Sequence, residues 1–123
     1  MTPERLRELR GALLRLHKIL LDAERADFEK VSGRVTSGEL LQLVVNHPQF
    51  DWLRRISAIV AEIDETLAAQ EPATEEELQG LVAQARLLFT SSVDKEFSEK
   101  YQAALQRDPD VVLAHSAVIN LLR

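Results

Sequence analysis

The sequence predicts an all-α fold, an up-and-down bundle of four to six helices formed by a single domain of 123 residues. Three observations predict this fold. Apolar residues recur every three or four positions along most of the chain, which is the period of an α-helix. No segment alternates apolar and polar residues as a half-buried strand does. Capping residues and prolines mark short loops between the apolar segments, and short loops favour antiparallel neighbours in a bundle.

The first long helix is predicted over residues 3–32. Thr2 and Pro3 are typical of an N-cap and a first helical turn, because the Thr hydroxyl can accept a hydrogen bond from a free amide there. Gly33 supplies the stop, since glycine readily takes the left-handed conformation in which many helices end. The apolar face of this helix is a stripe of leucines, namely Leu6, Leu9, Leu13, Leu16 and Leu20.

Two helices are predicted on either side of Pro48, over residues 37–46 and 48–70. Thr36 begins a capping box for the first of them, and Pro48 suits the first turn of the second. The second helix contains the stretch NHPQFDWLRRISAIVAEIDE, in which apolar residues recur at helical spacing. We therefore expect Trp52, the only tryptophan, to belong to the core rather than to a site.

The second half of the chain predicts three more helices, over residues 75–90, 93–107 and 109–122. Thr74 begins a second capping box, and Pro109 again suits a first helical turn. The last helix is apolar on most of its circumference, which is typical of a helix that neighbours bury on several sides. It is expected to be either the central helix of the bundle or an interface helix.

Composition narrows the classes of function. The net charge of −5 disfavours bulk attraction to nucleic acid phosphates or to anionic membranes, so we expect neither as a partner. Cysteine is absent, which excludes disulfides and thiolate metal sites and fits a reducing compartment. No apolar run reaches the length of a membrane span, and the N-terminus lacks the apolar core of a signal peptide. A cytoplasmic protein is the expectation.

His17 and His115 are the main ligand candidates, because each lies on an apolar face of a predicted helix. One interpretation is structural, with each ring bonded to a neighbouring backbone or side chain. The other is that the two helices face each other and bring the imidazoles together as a ligand pair. Glu24, seven residues after His17, is the carboxylate that could complete a metal site. The helical His-Glu motifs of known metal enzymes are absent.

No catalytic constellation is present. Serines fall in caps, turns or isolated helical positions, no nucleophile elbow or phosphate-binding glycine loop occurs, and we expect neither enzymatic activity nor a cofactor. The eight residues RGALLRLH resemble the Arg and His motif of HEPN-type helical ribonucleases, which implies a role for Arg10 and His17 on a phosphodiester. Gly11 departs from the polar residue usual in that motif, and an acidic chain is a poor binder of RNA.

Charge placement gives a further hypothesis. Residues 3–18 hold five basic and two acidic residues, Arg5 and Arg10 among them, so the rest of the chain is strongly acidic. In the helix after Pro48, arginines precede acidic residues, an order that opposes the helix dipole. Such charges are expected to face opposite charges from the first helix or from a second chain. The interaction candidates in this helix are Arg54, Arg55, Glu62, Asp64 and Glu65.

The segments HPQFDWLRRISAIVAEIDE and EKYQAALQRDPDVVLAH resemble a group of small all-helical bacterial proteins without assigned activity. The resemblance implies a helical fold and a bacterial origin, and it brings no site residues. The expected function is a non-catalytic module for protein–protein interaction or self-association, such as a homodimer. The alternative is a bundle that binds a small ligand or a metal ion between His17 and His115.

Overall fold

The computed structural model describes residues 1–123 and contains six α-helices, one 3₁₀ helix and no strands, which confirms the all-α prediction. In chain order the elements are α1 (Pro3–Ser32), α2 (Ser37–Asn46), the 3₁₀ helix (Pro48–Leu53), α3 (Arg54–Ala68), α4 (Glu75–Thr90), α5 (Lys95–Arg107) and α6 (Pro109–Leu122). The predicted bounds of α1, α2, α4 and α6 are confirmed. Thr hydroxyls cap α1, α2 and α4 as expected, and each accepts a hydrogen bond from an amide of the first turn.

Four helices, α1, α3, α4 and α6, contact one another in a ring and form the bundle. α1 lies antiparallel to α3 and to α6, because Arg10 pairs with Asp64 near the end of α3 and Arg5 donates to the Asn120 carbonyl near the end of α6. α5 and the 3₁₀ helix pack against one end of this ring. The core is a single cluster of 25 buried apolar residues.

The leucine stripe of α1 lies at the centre of the core. Leu6, Leu9, Leu13 and Leu16 are 0% exposed, whereas Leu14, adjacent in sequence, is 40% exposed. Residues next to each other on a helix point about 100° apart, so one is enclosed by α3 and α6 while the other faces outward. The sequence-predicted stripe is therefore the buried face of α1.

The sequence predicts one α-helix over residues 48–70, and the chain instead forms the 3₁₀ helix before α3 begins. Phe50, Trp52 and Leu53 are each no more than 1% exposed. An α-helix would spread these three side chains over an arc of about 160°, whereas the tighter 3₁₀ helix aligns Phe50 with Leu53 and narrows the arc to about 120°. His47 fixes the start, because its Nδ1 accepts the Gln49 amide at 3.1 Å.

Two other bounds differ by two residues. α3 ends at Ala68, since Ala69 already has an extended backbone with ψ of 144°. α5 begins at Lys95 rather than at residue 93, because the Asp94 carboxylate accepts the Phe97 amide at 3.1 Å and acts as the N-cap. The sequence pattern did not distinguish this cap from the serines before it.

Replacement of Leu13 by Ala is expected to lower the free energy of unfolding by about 2–5 kcal/mol, because it leaves a cavity in the core. The matched variant Leu14→Ala removes the same atoms from a side chain that is 40% exposed. We expect it to cost less than about 1 kcal/mol. Denaturant unfolding of both variants measures the difference, and equal losses would contradict the packing described for α1.

Candidate functional site

The three ligand candidates lie in three separate clusters, and the structure does not bring them together. His17 Nε2 is 3.1 Å from the Ser57 hydroxyl on α3. His115 Nδ1 is 2.8 Å from the Tyr101 hydroxyl on α5. Glu24 bonds to the 3₁₀ helix. No group of three or more His, Cys, Asp or Glu side chains is placed to hold a metal ion.

The two imidazoles are polar links between helices. Burial lowers the pKa of His17 and of His115, because a partly desolvated site disfavours the charged imidazolium. Burial also raises the pKa of Tyr101, whose ring stacks on Phe97. Each ring is thus a hydrogen-bond partner of a hydroxyl on a neighbouring helix, which is the arrangement that the structural interpretation describes.

Glu24 is the only buried charged residue, at 9% exposed. Its two carboxylate oxygens accept hydrogen bonds from Trp52 Nε1 at 3.2 Å and from Gln49 Nε2 at 2.9 Å. The Gln49 amide also donates to the Glu24 backbone carbonyl at 3.3 Å. A buried carboxylate is costly unless it is bonded, so these contacts fix the 3₁₀ helix on α1.

The arginines of the opening turn of α3 find partners on other helices. Arg54 donates to the Val45 carbonyl at the end of α2 and pairs with Asp51 at 3.2 Å. Arg55 binds Asp94 at 2.9 Å and Glu96 at 3.3 Å. The amide of Phe97 and then Arg55 lower the pKa of Asp94, and Asp94 in turn raises the pKa of Arg55. The partners of both arginines thus lie within the chain but not on α1, whereas the charge hypothesis offered the first helix or a second chain.

The acidic end of α3 does meet α1, as one alternative of the charge hypothesis expects. Asp64 pairs with Arg10, and this contact is partly exposed. Glu62 instead accepts a hydrogen bond from Gln84 on α4 at 3.4 Å. Glu65 is exposed and makes no ion pair. Arg5 donates a hydrogen bond to the Asn120 carbonyl near the end of α6. Arg10 and His17, the pair in the ribonuclease-like segment, therefore bond to separate residues of α3.

The outward side of α6 carries the exposed apolar residues that the sequence pattern could not orient. Val111, Ala114, Val118 and Leu122 are buried, but Leu113 is 70% exposed. The name α6 surface is used below for five apolar residues around Leu113. They are Val112, Leu113 and Ala117 of α6, Ile19 of α1 and Leu105 of α5. α6 contacts α1, α4 and α5 and still presents this surface to solvent, so it is not the enclosed central helix.

Two grooves flank Leu113 and share it as a common wall. The α1–α6 groove has a volume of about 260 Å³ and is lined by Arg15, Ile19, Asp110, Leu113, Ala114 and Ala117. The α5–α6 groove, of about 490 Å³, is lined by Leu105, Gln106, Arg107, Pro109, Val112 and Leu113. Most of the second set is exposed, so this groove is open to solvent and does not enclose a small molecule.

A third groove lies between α3 and α4 and has a volume of about 230 Å³. Its walls are apolar, with Ile59, Leu87 and Val93 among them, and Arg55 lies at its edge. This volume is below the 300 Å³ or so at which ligand pockets usually begin. Arg55 is already engaged by Asp94 and Glu96, so it offers no free charge to a ligand there.

Comparison of the chain with protein-family models, with curated proteins and with solved structures found no match. The resemblance to small helical bacterial proteins therefore stays a prediction. None of the helices combines the length and the apolar character needed to cross a membrane.

Trp52→Phe is expected to lower the free energy of unfolding by about 2 kcal/mol, because Glu24 Oε1 loses its donor while the carboxylate stays buried. The loss should be clearly smaller in a Glu24→Leu background, where no carboxylate needs the donor. A double-mutant cycle by denaturant unfolding measures this coupling. The same cost of Trp52→Phe in both backgrounds would show that the indole acts through packing alone.

Stability is expected to fall as the pH decreases from about 7.5 to about 5.5. His17 and His115 have pKa values below 6.5 in the folded chain, so the unfolded chain binds protons that the folded chain does not. Carboxylates such as Asp94, whose folded pKa is lowered, stay ionised in both states over this range. The double variant His17→Asn/His115→Asn should show a smaller decrease. Equal decreases in both proteins, measured by urea unfolding, would refute this assignment.

Proposed function

We propose that this chain is a non-catalytic module that binds another protein through the α6 surface. The observation that carries the proposal is the exposure of Leu113, 70% accessible on a regular helix and flanked by a groove on each side. An exposed leucine alone is ordinary, but apolar neighbours around it are typical of interaction sites. A cytoplasmic location in a bacterial cell is part of the proposal, and the acidic composition is compatible with it.

The outward side of α6 is more apolar than that of α3. The exposed positions of α3 carry charged, hydroxyl or alanine side chains, as expected for the solvent side of a bundle helix. On α6 the corresponding outward positions include Val112, 43% exposed, and Leu113. Burial of one leucine side chain contributes roughly 1.5–3 kcal/mol, so a few such residues can provide the apolar centre of an interface.

Polar residues surround this apolar centre. Arg15 and Asp110 border one groove, and Gln106 and Arg107 border the other. An apolar centre with a polar rim is the usual anatomy of a protein interface. The non-catalytic part of the proposal is supported by the hydrogen bonds that engage His17, His115 and Glu24 within the fold. Ligand or metal binding between the two histidines finds no comparable support.

A photo-crosslinking amino acid at position 113 tests the proposal in the cells that naturally make the chain. We expect a discrete adduct after irradiation, because the side chain at this position would be covered by a partner. Position 76, in the exposed first turn of α4, is the control and should give none. Ala117→Arg fills the α1–α6 groove and should abolish the adduct. No adduct at position 113, or one that also forms at position 76, would overturn the proposal.

A further inference from the structure

We infer that the partner of the α6 surface is a second copy of this chain, with the two α6 helices packed antiparallel across a two-fold axis. This inference rests on the proposed function and adds the identity of the partner. It is carried by the arrangement of Leu113 between its two grooves and by the placement of two charges, Arg15 and Asp110, that have no ion-pair partner within the chain.

A two-fold interface uses the same patch on both copies, so that patch must supply both a projection and a recess. The α6 surface has both, because Leu113 projects between the α1–α6 groove and the α5–α6 groove. Ala114 and Ala117 line the first groove and leave room for a leucine side chain of another copy. Leu113 of each copy would then pack against Leu113 and Ala114 of the other, at the edge of the α1–α6 groove.

The orientation of α1 against α6 determines where the two charges lie. The ends of the pair are fixed by Arg5, 3.0 Å from the Asn120 carbonyl, and by Arg107, 3.2 Å from Asp27. Interpolation between these contacts places Arg15 beside Ala114, about one turn along the groove from Asp110. The two charges therefore lie at different levels along the α1–α6 groove, one on each helix.

A two-fold axis can lie in the plane of the interface, perpendicular to α6 and near Val112 and Leu113. Rotation about it brings the level of Asp110 in one copy to the level of Arg15 in the other. Asp110 of one copy then approaches Arg15 of the other, and the same contact is repeated on the opposite side of the axis. Two reciprocal ion pairs would flank the apolar centre. A parallel arrangement would place like charges at the same level, so the charges favour the antiparallel one.

Each copy has a net charge of −5, and this opposes association. At physiological salt the repulsion between distant charges is screened beyond about 8 Å, whereas contacts within the interface are screened less. The interface charges can thus decide the pairing although the whole molecules repel each other.

Sedimentation equilibrium of the purified chain tests the inference. We expect a dimer with a Kd below about 100 µM. Arg15→Glu and Asp110→Arg each bring like charges together and should weaken association at least about tenfold, and the double variant should recover it to within about threefold. Both residues are exposed, so the variants are expected to fold, which circular dichroism checks.

Matched controls are Arg34→Glu in the loop after α1 and Glu76→Arg in the first turn of α4, which change the same charges away from the α6 surface. A monomer at all concentrations, or single variants that behave like these controls, would overturn the inference. A double variant that does not recover association would overturn it as well. The mass of the adduct formed at position 113 separates the two proposals. An adduct with twice the mass of the chain supports both proposals. An adduct of any other mass rejects only self-association, and the absence of an adduct rejects both proposals.

Discussion

The burial of the leucine stripe of α1 is the constraint on which the rest of the fold depends. α1 is 30 residues long and contacts α3, the 3₁₀ helix and α6, so it spans the whole bundle. With that stripe enclosed, α6 can cover only one side of α1 and must turn its remaining apolar residues outward. The exposure of Leu113 follows from this arrangement, since a helix that is apolar on most of its circumference has no second layer to cover it here.

Arginine side chains donate hydrogen bonds to backbone carbonyls at the ends of other helices. Arg5 and Arg86 reach carbonyls at the end of α6, and Arg54 reaches one at the end of α2. The last carbonyls of a helix lack partners and carry a partial negative charge, so a guanidinium from another helix satisfies and stabilises them. Arg54 is unfavourably placed for the dipole of α3, but its guanidinium bonds to a carbonyl at the negative end of α2. The order of charges that is unfavourable for α3 alone is thereby favourable for the folded chain.

Much of the fold could be predicted from the sequence, because caps such as Thr74 and prolines such as Pro109 act locally. The 3₁₀ helix could not be predicted, since its geometry depends on Trp52 reaching Glu24, 28 residues earlier in the chain. The contacts of the candidate site residues were even less predictable from the sequence. A histidine on an apolar face can point toward either neighbouring helix. A shift of one residue along the helix turns the side chain by about 100° and so changes its partner. His17 turns to α3 and His115 to α5, which periodicity alone does not specify.

α2 differs from the other helices because none of its residues is buried. It packs on the 3₁₀ helix and contributes the partly buried Leu40, Leu43 and Val44 to the edge of the core. Arg25 and Glu29 of α1 bond to the backbone of Val35, in the loop that leads into α2. Loss of such an element would remove no fully buried side chain from the core. The segment around α2 is thus the part of the chain in which evolution, or an engineer, could insert or exchange sequence at little cost to the fold. The α6 surface, at a different part of the molecule, would be unaffected by such a change.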